Sequence, residues 1–224
     1  MAATLMRTAF SPNIKERGDC SSAVFDEHGQ VTALAHRIPI HLGSMVGVVD
    51  EIRKRFDFAT IRPGDMFMAN DPYSGGGTHL PDITIAAPVF VGKKIVAFVA
   101  NIAHHADVGG MVPGSEAVNC TSIFQEGIRI PPVRIMHAGE INEDVLNVVL
   151  LNSRTPEERS GDLKAQFAAN IVGVHSVQTL YNRCIDAGAD RALFCDTVGV
   201  MTPAATRWWF SQIRQRVSHA AEFG

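Results

Sequence analysis

Two short polar clusters, His79-Leu80-Pro81-Asp82 and His104-His105-Ala106-Asp107, place three of the chain's nine histidines beside carboxylates. Two imidazoles and a carboxylate, with positions left over for water or substrate, suit a divalent zinc, manganese or iron ion. Taken singly, each residue reads more simply. A histidine near a strand end is more often hydrogen-bonded or at the surface, and an aspartate in a turn more often caps a backbone group. The metal reading rests on three histidines and two aspartates converging beside glycine-rich loops.

That convergence depends on the elements between the clusters. Residues 83–91 and 94–103 are apolar, β-branched runs separated by Gly92-Lys93, a good two-residue hairpin loop. Both runs are apolar on both faces, so the hairpin is expected to be central and buried rather than at an edge. Ideal pairing sets Val91 opposite Lys94, Asp82 opposite Ala103 and Pro81 opposite His104. The two clusters then meet at the open end of one hairpin. His79 and Asp82 converge only if Pro81 turns the chain, because residues three apart face opposite ways in a strand. His104 and His105 cannot share a face either. Ideal register puts His105 on the face of Asp82, and a bulge or an early strand end selects His104 instead. The spacing leaves both open.

The rest of the chain divides into a β-rich portion, 1–140, a helical continuation, 141–183, and a helical tail, 184–224. This is an α+β arrangement with a buried central hairpin ahead of helices. Residues 1–17 begin on the last turn of a helix, which Ser11-Pro12 ends, and a hairpin follows around His28-Gly29. Met45, Val48, Val49, Ile52 and Phe56 recur at helical spacing over 44–56, and 65–69 is a short strand. Residues 106–118 are loop, and 123–134 mix strand and turn signals. Asn142 caps a helix through Leu151, with Glu143 and Asp144 in its first turn. Thr155-Pro156-Glu157-Glu158 starts another, with an apolar stripe from Leu163 to Leu180 reaching Arg183.

With 224 residues, 46% of them hydrophobic, the chain can bury a sizeable core. A formal charge of -3 and a pI near 6.3 argue against nucleic acid as a partner. No apolar run reaches the roughly 18 to 20 residues that cross a bilayer, and the N-terminus lacks a secretory pattern. Cys20, Cys120, Cys184 and Cys195 are scattered without a C-x-x-C pair. A cytoplasmic protein is expected.

The segments LMRTAFSPNIKER, IPIHLG, NDPYSGGGTHLPD, HHADVGG and FQEGIRIPPVR together resemble the hydantoinase B/oxoprolinase family. The resemblance runs from about Leu5 to Arg183. It implies a metal-dependent, ATP-coupled hydrolase of small cyclic amides of the hydantoin or 5-oxoproline type. A separate hydantoinase A-type partner consumes the ATP in a hetero-oligomer, and the B-type part completes hydrolysis. It also implies a metal on His79, Asp82 and the first histidine of HHAD, His104. His105, Asp107 or Glu126 would then move the proton of the attacking water. The family's carboxylase branch, acting on acetone or acetophenone, is the alternative activity, and a catalytically inactive interaction module the other. Members of the family extend further at both ends, so a fragment or split subunit is expected.

Other residues carry weaker readings. Gly75-Gly76-Gly77 suggests a phosphate loop, but no G-x-x-x-x-G-K-[ST] occurs and a plain turn is the simpler reading. Cys120 is more simply a lone thiol than a nucleophile. His41 either lines the site or anchors a helix start. Trp208-Trp209-Phe210 reads as core or interface rather than a base-stacking platform.

Overall fold

A computed structural model of the chain describes residues 1–35, 38–45, 47–75 and 77–186, all within a unit spanning Met1–Ala192. Seven antiparallel strands form one sheet in the order β2-β1-β5-β4-β3-β6-β7. They are β1 (Cys20–Asp26), β2 (Val31–Ala35), β3 (Met66–Ala69), β4 (Asp82–Val91), β5 (Lys94–His104), β6 (Val133–His137) and β7 (Glu140–Ile141). The hairpin β4–β5 occupies the middle of the sheet, as its two-sided apolar character requires.

Strand alternation sorts the core into two layers. Phe98, Ala100 and Ile102 of β5 pack with Ala86, Phe67 and Phe25 against Met45, Val48, Val49 and Ile52. Those last four belong to α3 (Ile40–Met45) and α4 (Val48–Arg55). On the opposite face Ile83, Ile85, Val89, Ala97 and Val99 meet Leu146, Val149, Leu163, Phe167 and Val177. These come from α5 (Glu143–Leu151) and the long α6 (Pro156–Asp186). Two N-terminal helices, α1 (Ala2–Thr8) and α2 (Pro12–Lys15), complete this layer, where Leu5 and Ile14 pack with Ala165, Ala169, Cys20 and Ala103. Fully buried side chains such as Phe98 and Ile85 each contribute about 1.5–3 kcal/mol over leaving them exposed.

The caps behave as the sequence implies. The Asn142 side chain accepts from Val145 N at 3.1 Å, and Thr155 precedes Pro156 at the start of α6. One expected helix is broken. The periodic residues from 44 to 56 fall on two helices because Gly47, at φ +96°, adopts a left-handed conformation that starts α4 afresh. The ambiguous stretch from residue 123 resolves into a 3-10 turn, Ile123–Gln125, and strand β6. Among the described residues no helix is long and apolar enough to cross a membrane. Trp208, Trp209, Phe210 and the tail beyond Asp186 lie outside the described residues.

Candidate metal centre

The loop between β3 and β4 is held at both ends by one buried amide. Asn70 donates through Nδ2 to the carbonyls of Leu80 (2.7 Å) and Ile128 (3.0 Å), and its Oδ1 accepts from Ile130 N at 2.6 Å. Next to it, Arg129 reaches both oxygens of Asp71 at 3.0 and 3.1 Å. The chain then turns at Pro81, with Asp82 N donating to His79 O and Ile83 N to Pro81 O. This turn carries the His79 ring round to Asp82. Gly77 makes the tight approach possible, since at φ +99° a Cβ there would sit 3.1 Å from the Asp82 carbonyl.

Register decides the second histidine. Val91 pairs with Lys94 and Phe90 with Ile95, but Val89 pairs with Ala97, so Val96 has no partner. This bulge shifts every later rung by one and sets Asp82 opposite His104. Ideal pairing, which favours His105, is therefore corrected. His104 shares the face of Asp82, while His105 points at α6.

The resulting cluster is centred on a carboxylate that is 1% exposed. Asp82 Oδ1 lies 3.0 Å from His79 Nε2 and 3.3 Å from His104 Nδ1. Its Oδ2 lies 3.7 Å from His41 Nε2. His41 is itself buried, 3.5 Å from Asp19 Oδ1, with Nδ1 held 3.1 Å from Ser21 Oγ of β1. Despite these short separations neither Asp82 oxygen has an aligned hydrogen-bond donor. A desolvated carboxylate in that state is expensive, and three nitrogens facing it without aligned N–H groups are the arrangement a shared cation would satisfy. The residues present therefore fit a metal ion. Glu116 Oε1 lies 3.6 Å from His79 Nδ1, and His79, His104 and Glu116 each offer one ligand atom within 4.8 Å of the others.

The electrostatics follow the same geometry. Burial works to raise the Asp82 pKa, but the His104 and His79 imidazoles overcome it and hold the carboxyl well below its usual range. Contact with Asp82 raises His79 in turn. Burial lowers His41, with Asp82 and Asp19 opposing. On its open side the cluster meets a cleft of about 390 Å³ lined by His79, Pro81, Ser115, Glu116, Cys120 and Glu126.

The hydantoinase B/oxoprolinase family profile matches residues 1–212. The chain belongs to that family. The family match continues beyond Arg183, where the motif resemblance stops. Over 187 residues the chain is 43% identical to the uncharacterized protein MJ0963 of Methanocaldococcus jannaschii, covering 82% of this chain and 33% of that protein. It is 39% identical to a 5-oxoprolinase of Dictyostelium discoideum over 186 residues, 81% of this chain and 14% of the relative. The crystal structure of an ATP-dependent caprolactamase from Pseudomonas jessenii superposes with a TM-score of 0.75 at 33% identity, over 83% of this chain and 32% of the other. The chain thus spans a third or less of the length of these relatives.

Within this hydantoinase B-type fold, His79, Asp82 and His104 come together and the expected proton-transfer residues separate. His105 is fully buried on the α6 face, its Nε2 2.9 Å from Gln166 Oε1. Burial, then the nearby Arg159 charge, push its pKa down to about 4. Asp107 is an anchor. Its oxygens accept from the backbone N–H groups of Gly109, Gly114 and Arg154 and from the Arg154 side chain. Neither His105 nor Asp107 reaches the cleft, because the strand alternates at one and the loop consumes the other. Glu126 does line the cleft. Sequence reasoning missed Glu116 and Asp19. Glu116 arrives through a loop that Asp107 folds back, and Asp19 through the start of β1, and no local spacing reports either closure.

Proposed function

We propose that the chain is the metal-bearing part of an ATP-coupled hydrolase of small cyclic amides. The observation that carries it is the buried, unsatisfied Asp82 ringed by His79, His104 and His41, within the matched family region. Asp82, His79 and His104 hold one divalent ion, with Glu116 at the open side. When bound, the ion supplies Lewis acidity and a lowered pKa for water at the cleft.

The substrate arrives activated. A hydantoinase A-type partner uses ATP to phosphorylate the ring amide oxygen, giving an imidate phosphate. Water then adds to that carbon, and its proton passes to Glu126 in the cleft. Glu126 returns that proton to the ring nitrogen, giving a neutral tetrahedral adduct. As the C–N bond then breaks, the adduct's hydroxyl proton passes through Glu126 to the nitrogen, which leaves as NH2, and the hydroxyl oxygen becomes the carbonyl of an acyl phosphate. A second water hydrolyses the remaining acyl phosphate to carboxylate and inorganic phosphate. Closing the cleft against bulk water is left to the assembled hetero-oligomer.

The chain purified with its A-type partner should hold about one divalent ion and open 5-oxoproline, hydantoin or caprolactam only with ATP. His79→Ala and Asp82→Ala should each lose both the ion and turnover. Stoichiometric metal with full activity in either variant overturns the assignment. Bicarbonate-dependent consumption of a ketone would place the chain in the carboxylase branch, and partner binding without turnover would make it an interaction module.

A further inference from the structure

We propose that Gln166, on the far side of the sheet, is a positioning residue for the metal ligands. This rests on the metal reading given above, but on different atoms. The rung Asp82–His104 is the last paired rung of the β4–β5 ladder, and beyond it a single backbone bond, His105 N to Pro81 O at 2.9 Å, precedes the loops. Terminal rungs open most readily. A ligand pair placed there, held by only that bond and one from His104 N to Asp19 O at 3.0 Å past the ladder, gains from a side-chain restraint.

Gln166 provides it with one side chain. Its Nε2 donates to the carbonyl of Ile83 at 2.8 Å, and Ile83 follows Asp82. Its Oε1 lies 2.9 Å from His105 Nε2, and His105 follows His104. The same Nε2 also reaches Asn101 Oδ1 at 2.8 Å, while Asn101 Nδ2 donates to the Gln166 backbone carbonyl at 2.9 Å. Gln166, His105 and Asn101 are all 0% exposed. Alternation along each strand means that fixing Ile83 and His105 from the α6 side fixes the directions of Asp82 and His104 on the other. Rigid α6 is thereby coupled to both ligand-bearing strands through an amide that uses a donor and an acceptor together. Leucine could fill the space without doing either.

Asn170 supplies a matched control. It lies on the same helix, is equally buried, and donates to Ile85 O at 2.9 Å while accepting from Asn101 at 2.9 Å. It touches neither ligand neighbour. Zinc affinity of the purified chain, measured by chelator competition alongside thermal melting, separates the roles. Gln166→Leu should weaken zinc binding about tenfold per folded molecule, within the range typical of residues that orient metal ligands. Gln166→Glu keeps the acceptor for His105 and should recover part of that loss, and it serves alone if the leucine variant does not fold. Asn170→Leu should lower the melting temperature and leave zinc affinity within about twofold, as expected where no ligand is oriented. Wild-type affinity in both Gln166 variants, or an equal loss in Asn170→Leu, overturns the inference while leaving the metal site intact. Failure of the wild-type chain to bind zinc would overturn both readings.

Discussion

His104 and His105 are the same residue type on adjacent positions, and the two faces of one hairpin give them opposite fates. On the α6 face, His105 joins an amide network with Gln166, Asn101 and Asn170 through Nε2, its Nδ1 is left without a partner, and burial keeps its ring neutral at neutral pH. On the α3 and α4 face, His104 joins His79 and His41 around a carboxylate whose oxygens lack an aligned donor. Polar groups that stabilise a fold find their partners. A buried polar group left without a partner costs free energy that the rest of the structure must supply. The α6 face is closed at its amides and leaves one ring nitrogen of His105 open, whereas the other face leaves both oxygens of a buried carboxylate open.

This contrast is breakable by paired substitutions at neighbouring positions. His104→Ala should lower zinc affinity on the order of 100-fold or more, since it removes a direct ligand rather than a residue that orients one. The metal-free protein should melt close to wild type, which differential scanning calorimetry would check. His105→Ala should do the reverse. Truncating its buried ring leaves Gln166 Oε1 unpaired and opens a cavity, costing about 3 kcal/mol of stability. Zinc affinity in that variant should fall only about tenfold, as for a residue that acts through another. If the two variants exchange these signatures, the faces have been assigned the wrong way round.

Much of this is legible in the residues alone. The two-sided apolar character of the hairpin placed it at the centre of the sheet, and the turn at Pro81 was needed to bring His79 to Asp82. Asn142 and Thr155-Pro156 marked the helix starts where they occur. The choice between His104 and His105 was not legible, because it turns on Val96, a single unpaired residue near the far end of the hairpin. A valine in a bulge looks like any other strand valine, and one extra residue exchanges the faces of everything after it. The break at Gly47 hid for a related reason, since helical periodicity persists across a kink. Glu116 and Asp19 come together with the cluster only through loop closure, which leaves no period to read.

Glu116 gives a smaller and sharper test of where the open face ends. Its carboxylate is more than half exposed and sits 3.6 Å from His79 Nδ1, so water already screens it. Glu116→Gln should weaken zinc binding only about two- to fivefold, the size expected of an exposed charge pair. A loss as large as that of His104→Ala would move Glu116 from the rim of the site to its centre.

The smallest effect concerns the loop that delivers Glu116, and its sign is set by Asp107. Burial alone would raise the pKa of Asp107, yet the backbone N–H groups of Arg154, Gly114 and Gly109, helped by the Arg154 side chain, hold it below its ordinary value of 3.8. A carboxylate with a depressed folded pKa contributes its full stability above the unfolded pKa and loses it as pH falls through the folded one. The charged form is therefore what anchors residues 109–115. Asp107→Asn should melt below wild type at pH 7, and the gap should narrow once the pH drops below about 3.8, as the wild-type group is protonated in the unfolded and then the folded chain. Thermal melts of both proteins from pH 7 to pH 3 would check this. A gap that stays constant across that range would mean that the loop is held by the shape of the Asp107 side chain and not by its charge, and Glu116 would then keep its place at the metal site in acid.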